Sequence, residues 1–360
     1  MSDVKRMCMV GAGRVGRLHT RSITDHVGHR AEVTSLVDPN IDLARVLADE
    51  YDVGRVCASL DEALTDDGLD GVVITTPTFT HRDLAVAALD AGLAVHLEKP
   101  MAMNIAECRE IVAAAERAGR QVQLGFMRRF DTEFIAAADL LATGDVGAPM
   151  IIKSLTHGPG LPPPWATDIR TSNGMLAEVN SHCLDTVSWF AGAEPVDIHV
   201  RVANFKGDER GATAEHFYDT MVAAITFENA ALATVAGVCP ADYGYDARVE
   251  VTCTSGMIQV GDVGPGGFSY IQAGTSREQR TTFLSWRDRF AQAYIREMTE
   301  FANVIDGASP RVGLADGERA VALTIAGTYS ILDGGTVKLA ELDPDEVPPW
   351  QTALAGEAPA

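Results

Sequence analysis

Three glycines at a fixed spacing constrain this chain more than any other feature. The apolar run Met7–Val10 ends at Gly11-Ala12-Gly13-Arg14-Val15-Gly16, and a helical pattern follows from Gly16 to His26. In such a turn Gly11 permits the sharp change of direction. Gly13 lets a pyrophosphate approach the backbone, and Gly16 lets the helix pack close to the strand. The helix start adds unpaired N–H groups and the positive end of its dipole. A glycine triplet alone is a weak signal. Here Asp38 closes the next apolar run about 20 residues on, and the whole pattern reads as a dinucleotide-binding strand–helix–strand unit. A carboxylate at Asp38 accepts ribose hydroxyls and repels a 2′-phosphate, and Pro39 and Asn40 supply no Arg to receive one. The expected cofactor is NAD, with NADP less favoured. Asp38 also suits a cap for the helix at Ile41, which is compatible with that geometry.

The alternation continues. Val33–Val37 predicts a strand, Ile41–Tyr51 a helix, Leu60–Leu64 a short helix, Gly71–Thr75 a strand, Arg82–Ala91 a helix, Ala94–Leu97 a strand, Ala106–Ala118 a helix and Val122–Gly125 a strand. Strands separated by helices, joined by right-handed crossovers, make a doubly wound parallel sheet. The pattern changes after residue 124. A helix at Asp131–Thr143 and a strand at Met150–Thr156 lead to the Pro-rich HGPGLPPPW, which excludes helix and central strand. Met175–Phe190 reads as one helix. From Asp197 to Val260 short alternating runs predict antiparallel strands, followed by helices at Asp288–Asp306 and Asp316–Leu332 and a strand at Thr336–Leu339. The expected fold class is α/β, a parallel nucleotide-type domain over 1–124 and an α+β domain with a large open, mainly antiparallel sheet over 125–342. The Pro- and Ala-rich 343–360 reads as a loose tail.

Charge narrows the partners. With 29 Lys+Arg against 50 Asp+Glu, the net charge of -21 argues against nucleic acid and anionic membranes. No run approaches the length of a membrane span, and no signal pattern precedes Met7. The six cysteines have no C-x-x-C spacing and sit in apolar runs, as expected of reduced, buried thiols in a cytoplasmic protein. Cys183 stands out because His182 precedes it.

Two loops and one helix carry candidate chemistry. The segments ITTPTFTH (74–81) and LEKP (97–100) follow strands, and in an open parallel sheet ligands sit beyond the carboxyl ends of strands. Cofactor contacts are thus expected from Gly11, Gly13, Arg14, Val15, Gly16, Asp38, Thr76, Pro77, His81, Glu98 and Lys99. Lys99 near a hydride acceptor polarises a carbonyl or stabilises an oxyanion. The peptide before Pro100 is a candidate for the cis form. In GMLAEVNSHCLD, Glu178 and His182 are four apart and Asp185 three beyond, on one face of a continuous helix. A carboxylate-held His is a ready general base. A capped structural His is one rival, and a metal set of Glu178, His182 and His157 another; without H-E-x-x-H the expectation is no metal.

In the order GAGRVG, VDPN, TTPTFTH, LEKP, LGFMRRFD and Glu178-x-x-x-His182-x-x-Asp185, the chain resembles the glucose–fructose oxidoreductase, inositol dehydrogenase and MocA family over roughly residues 5–340. ADYGYDARVEVTCTSGMIQV and RFAQAYIREMTEFANVIDG resemble its inositol 2-dehydrogenase branch. The resemblance implies an N-terminal Rossmann domain and a C-terminal substrate-binding and oligomerisation domain whose open sheet forms dimers or tetramers. It implies that Lys99 and His182 are catalytic, with Glu178 where inositol dehydrogenases commonly carry Asp. It points to Met127, Arg128, His157 and Tyr243 as substrate contacts, joined by Asp185 and by Trp165 from the divergent GLPPPW loop. The implied reaction is oxidation of a secondary hydroxyl on a cyclitol or sugar. Rivals are an aldose or anhydrosugar dehydrogenase, a redox-neutral NAD-dependent glycoside-cleaving enzyme and a non-enzymatic NAD sensor.

Overall fold

The computed structural model describes residues 4–207, 216–261 and 283–352. The chain divides into two compact units, Met1–Phe130 with Gln292–Glu318, and Asp131–Ala291 with Arg319–Ala360. The return of 292–318 to the first unit is not anticipated by boundaries at 124 and 342. Its cause is packing: the helix Ala291–Ile305 places Met298, Phe301, Ala302 and Val304 in the same core as Met7, Met9, Leu36 and Val73.

In the first unit, β1 (Lys5–Val10), β2 (Ala31–Val37), β3 (Arg55–Cys57), β4 (Gly71–Ile74), β5 (Ala94–Glu98) and β6 (Val122–Gly125) form one sheet ordered β3-β2-β1-β4-β5-β6. Every pairing in it is parallel. The helices between are α1 (Arg14–Ser22), α2 (Ile41–Tyr51), α3 (Leu60–Ala63), α4 (His81–Asp90) and α5 (Ile105–Ala118). The strands β4, β5 and β6 are buried at every residue, which is why they read as unbroken apolar runs rather than alternations. The strand β3 is three residues long and carries no such run. Asn40 and Asn104 cap α2 and α5, accepting from Leu43 N–H and Glu107 N–H.

The second unit begins with α6 (Thr132–Thr143), β7 (Pro149–His157), α7 (Pro164–Thr167), α8 (Ile169–Ser172), α9 (Gly174–Glu178) and α10 (Ser181–Ala191). The strands β8 (Pro195–Ala203), β9 (Thr220–Phe227), β10 (Leu232–Val238), β11 (Asp246–Cys253) and β12 (Met257–Val260) follow. Later in the chain come α11 (Trp286–Arg289), α12 (Ala291–Ile305), which belongs to the first unit from Gln292, α13 (Leu314–Asp333), which enters the second unit at Arg319, β13 (Thr336–Lys338) and α14 (Pro349–Thr352). The sheet order is β12-β11-β7-β10-β9-β8-β13. It is mixed rather than wholly antiparallel, because β7 and β10 run parallel, the intervening helices supplying the crossover. The register puts Ile151, Leu232 and Met257 on one row and Val222 on the same face, and all four are exposed.

Three further expectations are corrected. Pro163 caps α7, so helix begins inside the Pro-rich loop, with Pro164 where its missing N–H costs nothing. The stretch 288–306 is divided between α11 and α12. The tail is docked as far as Thr352: Trp350 is buried, its Nε1 donates to Asn173 Oδ1 at 2.9 Å, and Gln351 Nε2 donates to the same oxygen at 2.7 Å. The rest of it, 353–360, lies outside the described residues.

Candidate active site

The glycine turn is built as its spacing requires. Gly11 has φ of +100°, and a Cβ there would lie 2.8 Å from Thr75 Oγ1. A Cβ on Gly16 would lie 1.8 Å from the Gly11 carbonyl oxygen, so helix and turn touch backbone to backbone. A Cβ on Gly13 would meet nothing within 4 Å. The space over the start of α1 is open, Gly13 and Arg14 are exposed, Val15 is half-buried, and the first turn carries no acid to repel a phosphate. Asp38 closes the site from β2. Its carboxylate accepts Ala12 N–H at 2.9 Å and Asn40 N–H at 2.8 Å, which pins it beside the glycine turn as an anion. These features fit a dinucleotide: amides for phosphate, bare backbone for close approach, and a fixed carboxylate for ribose.

The two loops beyond β4 and β5 are joined by His81. Its Nδ1 lies 2.8 Å from the Pro100 carbonyl oxygen and its Nε2 2.9 Å from that of Thr76. Both acceptors favour a charged ring, but full burial outweighs them and holds its pKa below the usual value. His81 thus sits between the loop of Thr76 and Pro77 and the Lys99 turn, its single N–H donating to one of the two carbonyls, and the Lys99–Pro100 peptide there is cis. Thr76 Oγ1 and Thr80 Oγ1 are 2.7 Å apart, which stiffens the first loop. Glu98 points inward: one carboxylate oxygen meets His19 Nε2 at 2.8 Å and the other accepts Lys99 N–H at 3.2 Å. Lys99 itself is half-buried. The neighbouring Met127, Arg128 and Arg129 are all buried, and Arg129 pairs with Asp316 at 3.0 Å, so neither arginine is a surface ion-pairing residue.

In the second unit the helix expected over 175–190 breaks at Val179–Asn180. Asn180 N–H reaches back five residues to the Met175 carbonyl at 3.3 Å, a π-type step, before α10 begins. Glu178 ends α9 and His182 opens α10, so they do not share one regular helical face as the spacing of four implied. The break has a tertiary cause. A Cβ on Gly237 of β10 would lie 2.3 Å from Asn180 Nδ2, so a glycine is needed for the Asn180 amide to lie against the sheet. Tyr218, fully buried, accepts Leu176 N–H at 2.9 Å and satisfies a donor at the start of α9. Glu178 and His182 are half-buried, and Asp185 is buried. Cys183 is buried with its Sγ 3.1 Å from Thr156 Oγ1, and all six cysteines are buried and outside any disulfide.

His157 belongs to a different group. Thr156 faces α10, so by alternation His157 turns to the other face of β7. There its Nδ1 hydrogen-bonds the Tyr243 hydroxyl, and Tyr243 donates to Asp246 Oδ2 at 3.1 Å. Arg248 grips the same carboxylate through Nε at 2.8 Å and a terminal nitrogen at 2.9 Å. Burial and Asp246 push the Tyr243 pKa up, and burial pushes the His157 pKa down. Tyr243 therefore remains a donor to Asp246, and neutral His157 donates from Nδ1, which leaves Nε2 as an acceptor. Trp165 lies half-buried in α7, and its carbonyl accepts Thr171 Oγ1 at 2.5 Å. Glu178, His182 and His157 do not form a ligand set. Among the described residues the group of His and carboxylate atoms that lies close together is His19, His96 and Glu297.

Comparison with known proteins follows from this geometry. Residues 5–126 match the model of an oxidoreductase family with an NAD-binding Rossmann fold, and residues 134–259 match the GFO/IDH/MocA C-terminal domain. The chain belongs to the Gfo/Idh/MocA oxidoreductases. It is 29% identical over 353 residues to the scyllo-inositol 2-dehydrogenase (NAD(+)) of Bacillus subtilis, covering 94% of this chain and 97% of that protein. It is similar to the crystal structure of a myo-inositol dehydrogenase from Corynebacterium glutamicum, with 28% identity, a TM-score of 0.80, and 93% and 99% of the two chains covered. The myo-inositol dehydrogenase of Lactobacillus casei, solved in complex with NAD(H) and myo-inositol, is similar at 25% identity with a TM-score of 0.80, over 97% and 99% of the chains.

As a Gfo/Idh/MocA oxidoreductase, the chain carries site-supporting residues that sequence reasoning missed. Thr75 donates to the Gly11 carbonyl at 3.0 Å and shapes the glycine turn. Asp246 and Arg248 orient Tyr243. Asn180 sets the helix break. Thr75 and Asp246 lie inside motifs already noticed; Asn180 gives no local signal, because its role depends on Gly237 across the fold.

Proposed function

We propose that this Gfo/Idh/MocA oxidoreductase is an NAD-dependent dehydrogenase that oxidises a secondary hydroxyl of a cyclitol, myo- or scyllo-inositol foremost, to the ketone. The observation that carries this reading is likeness along nearly the whole chain, through both units, to enzymes named for inositols. The polarised His157–Tyr243–Asp246–Arg248 group supports it, since a ring nitrogen held as an acceptor suits a ligand rich in hydroxyl donors. The amides after Gly11, the open face at Gly13 and the Asp38 carboxylate hold NAD, and Asp38 disfavours the extra phosphate of NADP. When bound, NAD supplies the hydride acceptor. His182 takes the hydroxyl proton, with Glu178 orienting it, and Lys99 stabilises the developing oxyanion. Met127 and Arg128 in the first unit, and His157, Trp165, Asp185 and Tyr243 in the second, are the proposed substrate contacts. The exposed Ile151, Val222, Leu232 and Met257 support a homodimer or homotetramer through the open sheet face. Buried cysteines outside any disulfide support a reducing compartment, the cytoplasm. No helix among the described residues is long and apolar enough to cross a membrane.

The test is NADH formation by the purified protein on myo-, scyllo- and chiro-inositol, common aldoses and an anhydrosugar, each with NAD⁺ and NADP⁺. Activity on an inositol with NAD⁺ alone is the expected result. Activity on an aldose only would move the substrate, and glycoside cleavage without net NADH would replace the reaction.

A further inference from the structure

Beneath the Lys99 turn the first unit encloses ionisable side chains with no path to solvent. His19 on α1, His96 on β5 and Glu297 on α12 are each 0% exposed. One nitrogen or oxygen of each lies within 4.8 Å of those of the other two. Among the described residues, His19 Nδ1, His96 Nε2 and both carboxylate oxygens of Glu297 have no hydrogen-bond partner. Buried polar atoms without partners are rare, and four on three neighbouring side chains require an explanation.

A bound cation or an ordered set of protons would supply one, and Gln123 decides between them. Its Nε2 donates to the Glu297 backbone carbonyl at 3.0 Å and to His96 Nδ1 at 3.2 Å. Reversed, the amide would set its oxygen against that carbonyl. His96 Nδ1 is therefore an acceptor, and the proton of its neutral ring sits on Nε2, the nitrogen a metal would need bare. Burial, with His19 adding to it, holds the His96 pKa well below the usual value, in keeping with a neutral ring. At the other end His19 Nε2 donates to Glu98, whose second oxygen accepts Lys99 N–H. In the single-proton tautomer that makes this bond, His19 Nδ1 is an acceptor. A protonated Glu297 matches both neighbours in polarity, its carbonyl oxygen accepting from His96 Nε2 and its hydroxyl donating to His19 Nδ1 through a bridging water where the atoms are too far apart for a direct bond. Burial and the nearby Glu98 push the Glu297 pKa well above the usual carboxylate range, in the same sense.

We propose that Gln123, His96, protonated Glu297, His19 and Glu98 form one hydrogen-bond chain of fixed direction, each open link closed directly or by a single water, which holds the Lys99 main chain in place. His19, His96 and Glu297 are then positioning residues. That role rests on the reading of Lys99 given above; the chain of protons does not.

Infrared spectroscopy of the full-length protein in H₂O and D₂O tests the chain without any substrate. A carbonyl band of a protonated carboxylic acid is expected in the wild type and absent in Glu297→Gln. The amide of Glu297→Gln keeps one donor and one acceptor at the same points, so its melting temperature should stay within ~2 °C of wild type. Glu297→Ala, which strands His96 Nε2 and His19 Nδ1, should lose ~5 °C or more. On the substrate found above, Glu297→Ala should lower kcat by ~10-fold with NAD affinity changed less than ~3-fold, and Glu297→Gln should restore most of the rate. Absence of the band, equal damage from Gln and Ala, or a stoichiometric metal ion in the purified protein would each overturn the proposal. A substrate panel that stays silent bears on the proposed function instead, since band and melting point decide the chain by themselves.

Discussion

The two sheets of this chain bury their surface in different ways, and the difference decides where chemistry resides. The first is parallel, and β4, β5 and β6 are covered at every residue. Reactive groups are left with the strand ends, where turns project beyond the sheet. The second sheet alternates, with one face under helices and the other carrying exposed Ile151, Val222, Leu232 and Met257. Its candidate groups come from a helix start, a strand register and a hydroxyl network, scattered from His157 to Arg248. A parallel sheet concentrates function in short contiguous motifs, whereas an open one assembles it from distant residues.

The largest effect should come from the two groups proposed to act on substrate, Lys99 and His182. Lys99→Met and His182→Ala should each lower kcat by ~10²–10⁴ while NAD affinity changes little, measured by steady-state kinetics and NAD titration. A variant that keeps its rate removes its unit from the chemistry. The glycine turn gives a sharper contrast. Gly16→Ala drives a Cβ into the Gly11 carbonyl, for a loss on the order of 3 kcal/mol of stability along with NAD binding. Gly13→Ala meets no protein atom, so it should melt like wild type yet bind NAD ~10-fold more weakly. Equal melting of the two would break the argument that backbone contact alone shapes this turn. The smallest effect tests the open sheet. Gly237→Ala crowds Asn180 and should cost about 1–2 kcal/mol while lowering kcat a few-fold at unchanged NAD affinity. Unchanged kcat would separate the helix break from the placement of His182.

What the sequence disclosed follows the same division. The turn Gly11–Gly16, Asp38 and the strand–helix order of the first 125 residues, the short edge strand β3 excepted, were legible because backbone sterics and burial act locally. The strand positions of the second sheet were legible from alternation, but the parallel pairing of β7 with β10 was not, since nothing in either strand records its neighbour. The continuous helix expected through Glu178 and His182 breaks at Val179–Asn180, where Gly237 leaves room for the Asn180 amide from elsewhere in the chain. The inward turn of Glu98 and its bond to His19 escaped for the same reason: the E-K-P spelling is visible, the partner 79 residues earlier is not.

The bond from Trp350 to Asn173 spans 177 residues, and the core of the first unit draws on the helix Ala291–Ile305. A ribosome releasing this chain in order therefore exposes the glycine turn and the residues around His182 long before either unit can finish closing. Both halves stay open through most of synthesis and complete only as the final stretch emerges.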